Sequence, residues 1–147
     1  MTLEIKVLGE GDDAVLANVD PEVFDHPVDS GLAAEFLNDP RHHLAVALVE
    51  GCVVGMASAV HYVHPDKQPE LWINEVGVAP GYQRQGIAKK LLDALMEVGR
   101  RKNCGEAWVL TERSNPVAMK LYAAVGGVIA PEDPVMFTIK LKANPER

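Results

Sequence analysis

Six consecutive residues, Gln83-Arg84-Gln85-Gly86-Ile87-Ala88, have types and spacing that suit an anionic ligand. A polar turn runs directly into an apolar-periodic stretch. Its backbone N–H groups therefore stand at a helix start, unpaired and at the positive end of the helix dipole. A pyrophosphate binds well in such a place. Gly86 lets the backbone approach a phosphate closely, and the small Ala88 keeps the helix tight on what lies beneath it. Gln83 and Arg84 add side chains that can donate to phosphate oxygens. The string lacks the Gly-Lys-Ser/Thr of a nucleotide P-loop and the Gly-x-Gly-x-x-Gly of a dinucleotide fold. Alone, it fits an ordinary polar helix start equally well.

Other reactive side chains are less organised. Cys52 and Cys104 have no metal spacing and no disulfide framework, and read as small packed or partly exposed thiols. Among the five histidines, His42 and His43 are adjacent and His61 and His64 flank Tyr62. Without a cysteine or a regularly spaced acid beside them, no metal is expected. His61 and His64 are placed to line a pocket at a strand end. Asp20, Glu22, Asp25 and Asp29 crowd one loop, and Glu70 follows a second. A cationic substrate would be drawn to them, although a solvated loop explains them as well.

The elements that must position these groups follow from periodicity. Leu3–Leu8 alternates and predicts a half-buried strand; Asp12 to about Asn18 predicts a short helix. Ser30 is expected to cap a helix through Leu37, ended by Asn38-Asp39-Pro40. Continuous apolar runs at His43–Val49 and Val53–Tyr62, joined by Glu50-Gly51, predict strands buried on both faces. A third strand, Leu71–Val78, ends at Pro80-Gly81. The longest helix is expected from about Arg84 to Lys102, with Ile87, Ala88, Leu91, Leu92, Leu95 and Val98 on one stripe. A strand at Ala107–Thr111 precedes a helix with Asn115 as N-cap, Pro116 at its first position and Gly126-Gly127 at its end. Short strands at Val128–Ala130 and Val135–Leu141 complete the expected order. The whole predicts one α/β domain, residues 1–147, with a mixed central sheet flanked by helices.

Composition narrows the function classes. The chain has 147 residues, 48% hydrophobic and 24% charged, the profile of a globular domain. No apolar run is long enough to cross a bilayer and no signal-peptide pattern opens the chain, so the expectation is no membrane and a cytoplasmic location. A net charge of −7 argues against a nucleic-acid partner, which needs a basic surface.

Position sharpens the Gln83–Ala88 turn. It directly follows the strand containing Asn74-Glu75-Val76-Gly77-Val78 and opens the longest amphipathic helix. Gln83, Gly86 and Ala88 match the Arg/Gln-x-x-Gly-x-Gly/Ala signature of the GNAT N-acetyltransferase superfamily. Asn115, Ala118, Leu121, Tyr122 and Gly126 match its later Asn-x-x-Ala-x-x-Leu-Tyr-x-x-x-Gly segment. The chain resembles that superfamily over nearly its whole length. Its nearest likeness is to the small aminoglycoside 3-N-acetyltransferase type and its uncharacterised relatives, carried by Glu70–Val78, Trp108–Thr111 and Pro134–Phe137. Two departures from that type, Glu75 and Asn115 where Asp is usual, leave the acceptor open.

The resemblance implies acetyl-CoA as cosubstrate and direct acetyl transfer to an amine in a ternary complex. It implies Glu75 as general base, Tyr122 as general acid to the leaving sulfur, and the Val76 N–H as donor to the thioester oxygen. Strand alternation is expected to place Glu75 on one face with Ile73 and Gly77; a dry face would raise its pKa. Val76, Gly77, Val78, Gln83, Arg84, Gln85, Gly86, Ile87, Ala88, Asn115 and Tyr122 are the expected cofactor contacts. Glu70, Asp25 and Glu75 are the expected substrate contacts. Trp72 and Trp108 are expected as packing or pocket walls. The expected partner is a small, cationic amine, aminoglycoside-like among the options. A protein or peptide amine, or an acyl-CoA-binding domain without turnover, are the alternatives. A homodimer is a common assembly in such proteins.

Overall fold

The computed structural model describes residues 2–142. Five strands form one mixed sheet in chain order: β1 (Leu3–Leu8), β2 (His42–Val49), β3 (Cys52–Tyr62), β4 (Glu70–Val78) and β5 (Glu106–Val109). The first four are antiparallel neighbours; β5 lies parallel to β4. That parallel step needs a crossover, supplied by helix α2 (Ile87–Arg101). Helix α1 (Ser30–Asn38) precedes β2, and α3 (Pro116–Ala124) follows β5.

The continuous apolar runs are buried on both faces, as expected: every residue from His43 to Val49 and from Val53 to Ala59 is buried. On one face Ala45, Ala47, Ala57, Ala59, Leu71 and Ile73 meet the α2 stripe of Ile87, Leu91, Leu92 and Leu95. Small residues in the sheet let those large ones seat closely, and each buried leucine contributes about 2 kcal/mol of apolar transfer. On the other face Leu44, Val46, Val53 and Met56 meet Leu16, Val23, Ala33 and Leu37 from the early segments.

Several boundaries differ from expectation for local reasons. The early short helix is a 3-10 turn, Asp13–Ala17. Asp29, not Ser30, caps α1, accepting from the Leu32 N–H at 2.8 Å. Helix α2 begins at Ile87 rather than Arg84, because Arg84 (φ 64°) and Gly86 (φ 80°) adopt left-handed conformations that no α-helix accommodates. The expected strands Val128–Ala130 and Val135–Leu141 do not form: the stretch after α3 has no strand neighbour among the described residues, and an unpaired strand has no ladder to hold it.

Candidate active site

Strands β4 and β5 are paired only through Glu70–Ile73 and Glu106–Val109. Beyond Ile73 the β5-facing edge of β4 has no strand partner among the described residues, which leaves the backbone of Glu75–Val78 open to a ligand along a gap between the two strands. The cause lies in β4 itself. Ser58 of β3 faces Glu75 and Ala59 faces Ile73, so Asn74 has no counterpart and forms a β-bulge.

The bulge corrects the expected placement of Glu75. Ile73 packs with Leu71 on the α2 side. One extra residue flips the alternation, so Glu75 falls on the opposite face with Ser58 and Gly77. Glu75 is exposed, not buried on a dry face. Val76 and Val78 turn to the α2 side and pack against that core. Gly77 has a steric reason to be glycine, since a Cβ there would collide with the Val23 carbonyl oxygen. That contact holds the Asp20–Asp25 loop against the Glu75 face; the loop is further tied by Asp20 N–H to Val53 O (2.9 Å) and Val23 N–H to Asp20 O (3.1 Å).

At the end of β4 the chain turns through a 3-10 turn, Pro80–Tyr82, into Gln83–Gly86. The Gln83 side chain donates to Val78 O at 3.0 Å, which ties the turn to the strand it leaves. Among the described residues, the N–H groups of Arg84, Gln85 and Gly86 have no backbone acceptor and no side chain caps α2. Left-handed Arg84 and Gly86 stand on either side of Gln85, directly before the first turn of α2. Space beside Gly86 is open. Gln83 through Gly86 are exposed, Ile87 is buried under the sheet, and Ala88 is half-buried. This arrangement suits a pyrophosphate.

Tyr122 comes from the other side. It sits on α3, half-buried, and packs against the α2-side core that also takes Val76, Val109 and Leu121. Burial pushes its phenol above the ordinary value of 10. It lines a cavity of about 410 Å³ with Trp108, Val109, Leu110, Met119 and Val128. Asn115 caps α3, its Oδ1 accepting from the Ala118 N–H at 3.0 Å. The cap accounts for that residue without a ligand.

Other expected residues are dispersed. Glu70 opens β4 while Glu75 lies five residues on, about 15 Å along a strand, so the two do not converge. Glu70 instead sits near His64 Nε2 (3.7 Å) and Lys67 Nζ (3.6 Å). Asp25 is exposed and lines a second cavity, about 280 Å³, with Asp20, Phe24 and His26. Trp72 stacks between Tyr62 (6.1 Å) and Trp108 (5.1 Å); Trp108 also walls the Tyr122 cavity. His61 turns its Nδ1 to His43 Nε2 at 2.8 Å.

Residues 15–126, more than half of the chain, match the Acetyltransferase (GNAT) family. The chain belongs to the GNAT acetyltransferase family. An aminoglycoside N(6')-acetyltransferase type 1 of Salmonella typhimurium is 32% identical over 109 residues, covering 69% of this chain and 74% of that protein. A crystal structure of an aminoglycoside acetyltransferase from an uncultured soil metagenomic sample, in complex with trehalose, superposes with a TM-score of 0.80 at 27% identity, covering 95% and 97% of the two chains. A [ribosomal protein bS18]-alanine N-acetyltransferase of Haemophilus ducreyi is 39% identical over a shorter stretch of 57 residues, 39% of each chain. As a GNAT protein the chain is an N-acetyltransferase of a family that uses acetyl-CoA. The sub-type differs in detail from expectation: the Salmonella relative is an N(6') enzyme rather than a 3-N one.

The sequence reading missed Asn74, Val23 and the structural use of Gln83. Two polar residues in succession, Asn74-Glu75, interrupt an otherwise alternating strand, and that break was the available signal for the bulge.

Proposed function

We propose that this chain transfers an acetyl group from acetyl-CoA to a primary amine of a small cationic molecule of the aminoglycoside class, and that residues 1–147 form one domain for that purpose. The observation that carries the reading is the gap where β4 leaves β5, with the unpaired N–H groups of Arg84–Gly86 at one end and Glu75 and Tyr122 on its two sides. The N–H groups at 84–88 and the side chains of Gln83 and Arg84 would hold the pyrophosphate. The open edge at Val76–Val78 would take the extended arm in a strand-like manner.

Acetyl-CoA supplies a thioester, which the amine attacks directly while both are bound, forming the C–N bond as the C–S bond breaks. Glu75 accepts the proton the ammonium must lose, itself or through a water. The Val76 N–H donates to the carbonyl oxygen as charge grows on it. Tyr122, kept protonated by its burial, gives its proton to the departing sulfur, and the second proton lost by the new amide nitrogen restores the phenol. Asp25 and Asp20, held to the Glu75 face by the Val23–Gly77 contact, draw the cationic acceptor. The aminoglycoside relative and the aminoglycoside acetyltransferase structure support this acceptor class. A cytoplasmic location belongs to the same proposal.

One observation favours a second reading, acetylation of a protein N-terminus: the shorter match to the bS18-alanine enzyme. Acetyl-CoA consumption against aminoglycosides, polyamines and peptides, read by free thiol and product mass, separates the two. Turnover is expected with the aminoglycosides. Turnover only with peptides replaces the proposal with the second reading, and acetyl-CoA binding without any turnover overturns both.

A further inference from the structure

Two polar side chains are buried among the described residues, His43 at 6% and Ser58 at 9% exposure. His43 has its partner in His61 Nδ1, at 2.8 Å. Ser58 has none: among the described residues no backbone or side-chain group hydrogen-bonds its Oγ. The hydroxyl is recessed without being sealed, because His64 Nε2 is the one polar side-chain atom among the described residues that is both fully enclosed and unpartnered. A recessed hydroxyl without a partner disfavours the fold. Alanine would fill the same space between Ala57 and Ala59 without that penalty, so Ser58 has a use beyond packing.

Ala57 and Ala59 face the α2 side of the sheet, so Ser58 faces the other way, with Met56. Ala59 lies opposite Ile73, and an unbulged β4 would therefore set Asn74 opposite Ser58. The bulge sets Glu75 there instead, on the same face as the hydroxyl. Directly opposite residues on one face hold their Cβ atoms about 4.5–5.5 Å apart. Across that span the recessed hydroxyl and the exposed carboxylate make no direct hydrogen bond, and the spacing admits one bridging water. The strip is walled along β4 in both directions. The Val23 carbonyl oxygen is seated against Gly77, two residues after Glu75. Trp72, stacked between Tyr62 and Trp108, stands three residues before it.

We propose that Ser58 is a positioning residue for acetyl transfer: its hydroxyl holds the water through which Glu75 takes the proton of the acceptor. The Ser58 O–H donates to the water oxygen, and the water donates to the Glu75 carboxylate. The water's remaining lone pair points at the acceptor ammonium. One ammonium N–H bond breaks as an O–H bond forms on the water, and one of the water's own protons passes to Glu75. Glu75 ends as a carboxylic acid, while the water and the Ser58 hydroxyl end as they began. The amine is then free to attack the thioester. A recessed oxygen suits this role, since it reaches a water below the rim while a bulky amine stays above. The inference rests on the acetyl-transfer reading and selects the water-mediated use of Glu75 over the direct one.

Ser58→Ala removes the hydroxyl without orphaning a protein partner, so its melting temperature should match or exceed that of the wild type. Its kcat should fall about 10-fold or more, with KM for the amine and for acetyl-CoA within about twofold. Ser58→Thr keeps a hydroxyl on a residue suited to a strand and should restore kcat to within about threefold. In a Glu75→Gln background Ser58→Ala should cost nothing further, because the water then has no base to serve. A high-resolution crystal structure of the full chain with CoA should show a water bonded to both Ser58 Oγ and a Glu75 carboxylate oxygen, and lost in Ser58→Ala. With acetyl transfer intact, four results overturn the role of Ser58 alone. They are an unchanged kcat or a lowered melting temperature in Ser58→Ala, a Ser58→Thr no faster than Ser58→Ala, losses that add to Glu75→Gln, and no shared water. A wild type that turns over no amine overturns the acetyl-transfer reading, and this role with it.

Discussion

Replacing Gly77 by alanine tests how β4 presents the site. The added Cβ meets the Val23 carbonyl oxygen, a backbone atom that no rotamer change can move. Relief requires the 20–24 loop to retreat by about 1 Å, an overpacking cost of roughly 1–3 kcal/mol. The retreat stretches Asp20 N–H to Val53 O and the Val53 N–H to Asn18 O bond beside it, both now 2.9 Å, and lifts the buried Val23 from its core. For a domain of this size the melting temperature should fall by about 3–10 °C. Because the displaced loop carries Asp20 and Asp25, KM for a cationic amine should rise while acetyl-CoA affinity holds. Gly9→Ala is the control: its Cβ would meet nothing within 4 Å, and stability should stay within about 0.5 kcal/mol. Calorimetry and steady-state kinetics on the two variants decide the matter. Equal melting temperatures, or a loss confined to acetyl-CoA binding, would rule out the Val23 contact as the reason for glycine and return Gly77 to a cofactor contact.

Three further outcomes are expected. Tyr122→Phe keeps the packed ring and should lower kcat about 100-fold or more while leaving acetyl-CoA affinity within about twofold. Since burial holds the wild-type phenol above 10, no alkaline loss of turnover should arise from it at or below its ordinary value; unchanged kcat removes the general-acid role. Asn115→Ala should cost about 1 kcal/mol and speed hydrogen exchange in the first turn of α3, with stability unchanged and acetyl-CoA affinity reduced as the contrary result. Burial, and then neighbouring His61, push His43 down to about 4. Between about pH 6.5 and 4 the unfolded chain therefore takes up a proton that the folded one refuses. Stability should fall through that window by at most about 3 kcal/mol, and His43→Leu should flatten the slope in denaturant melts.

The fold was legible wherever period and burial coincide. Apolar runs on β2 and β3 and the stripe on α2 stated both element type and buried face, because small sheet residues and large helix residues are complementary in volume. The Gln83–Ala88 turn was legible as chemistry because helix-start donors are a local property. Glu75 was legible as an acid but not in direction: one unpaired residue, Asn74, reverses every side chain after it, and pairing with β3 is non-local. The limits of α2 depended on left-handed Arg84, a conformation the residue type does not announce. Val135–Leu141 reads as a strand because its pattern is one; pattern carries no information about which edge the strand needs.

In the proposed complex acetyl-CoA occupies the gap between β4 and β5 with its pyrophosphate on the turn before α2. Hydrogen exchange on the full chain with and without CoA tests it directly. Added protection concentrated at Glu75–Val78 and at 84–89 is the predicted result. Protection appearing instead around the 16–28 cavity, with those two segments unchanged, would place the cofactor elsewhere than on β4 and the turn before α2.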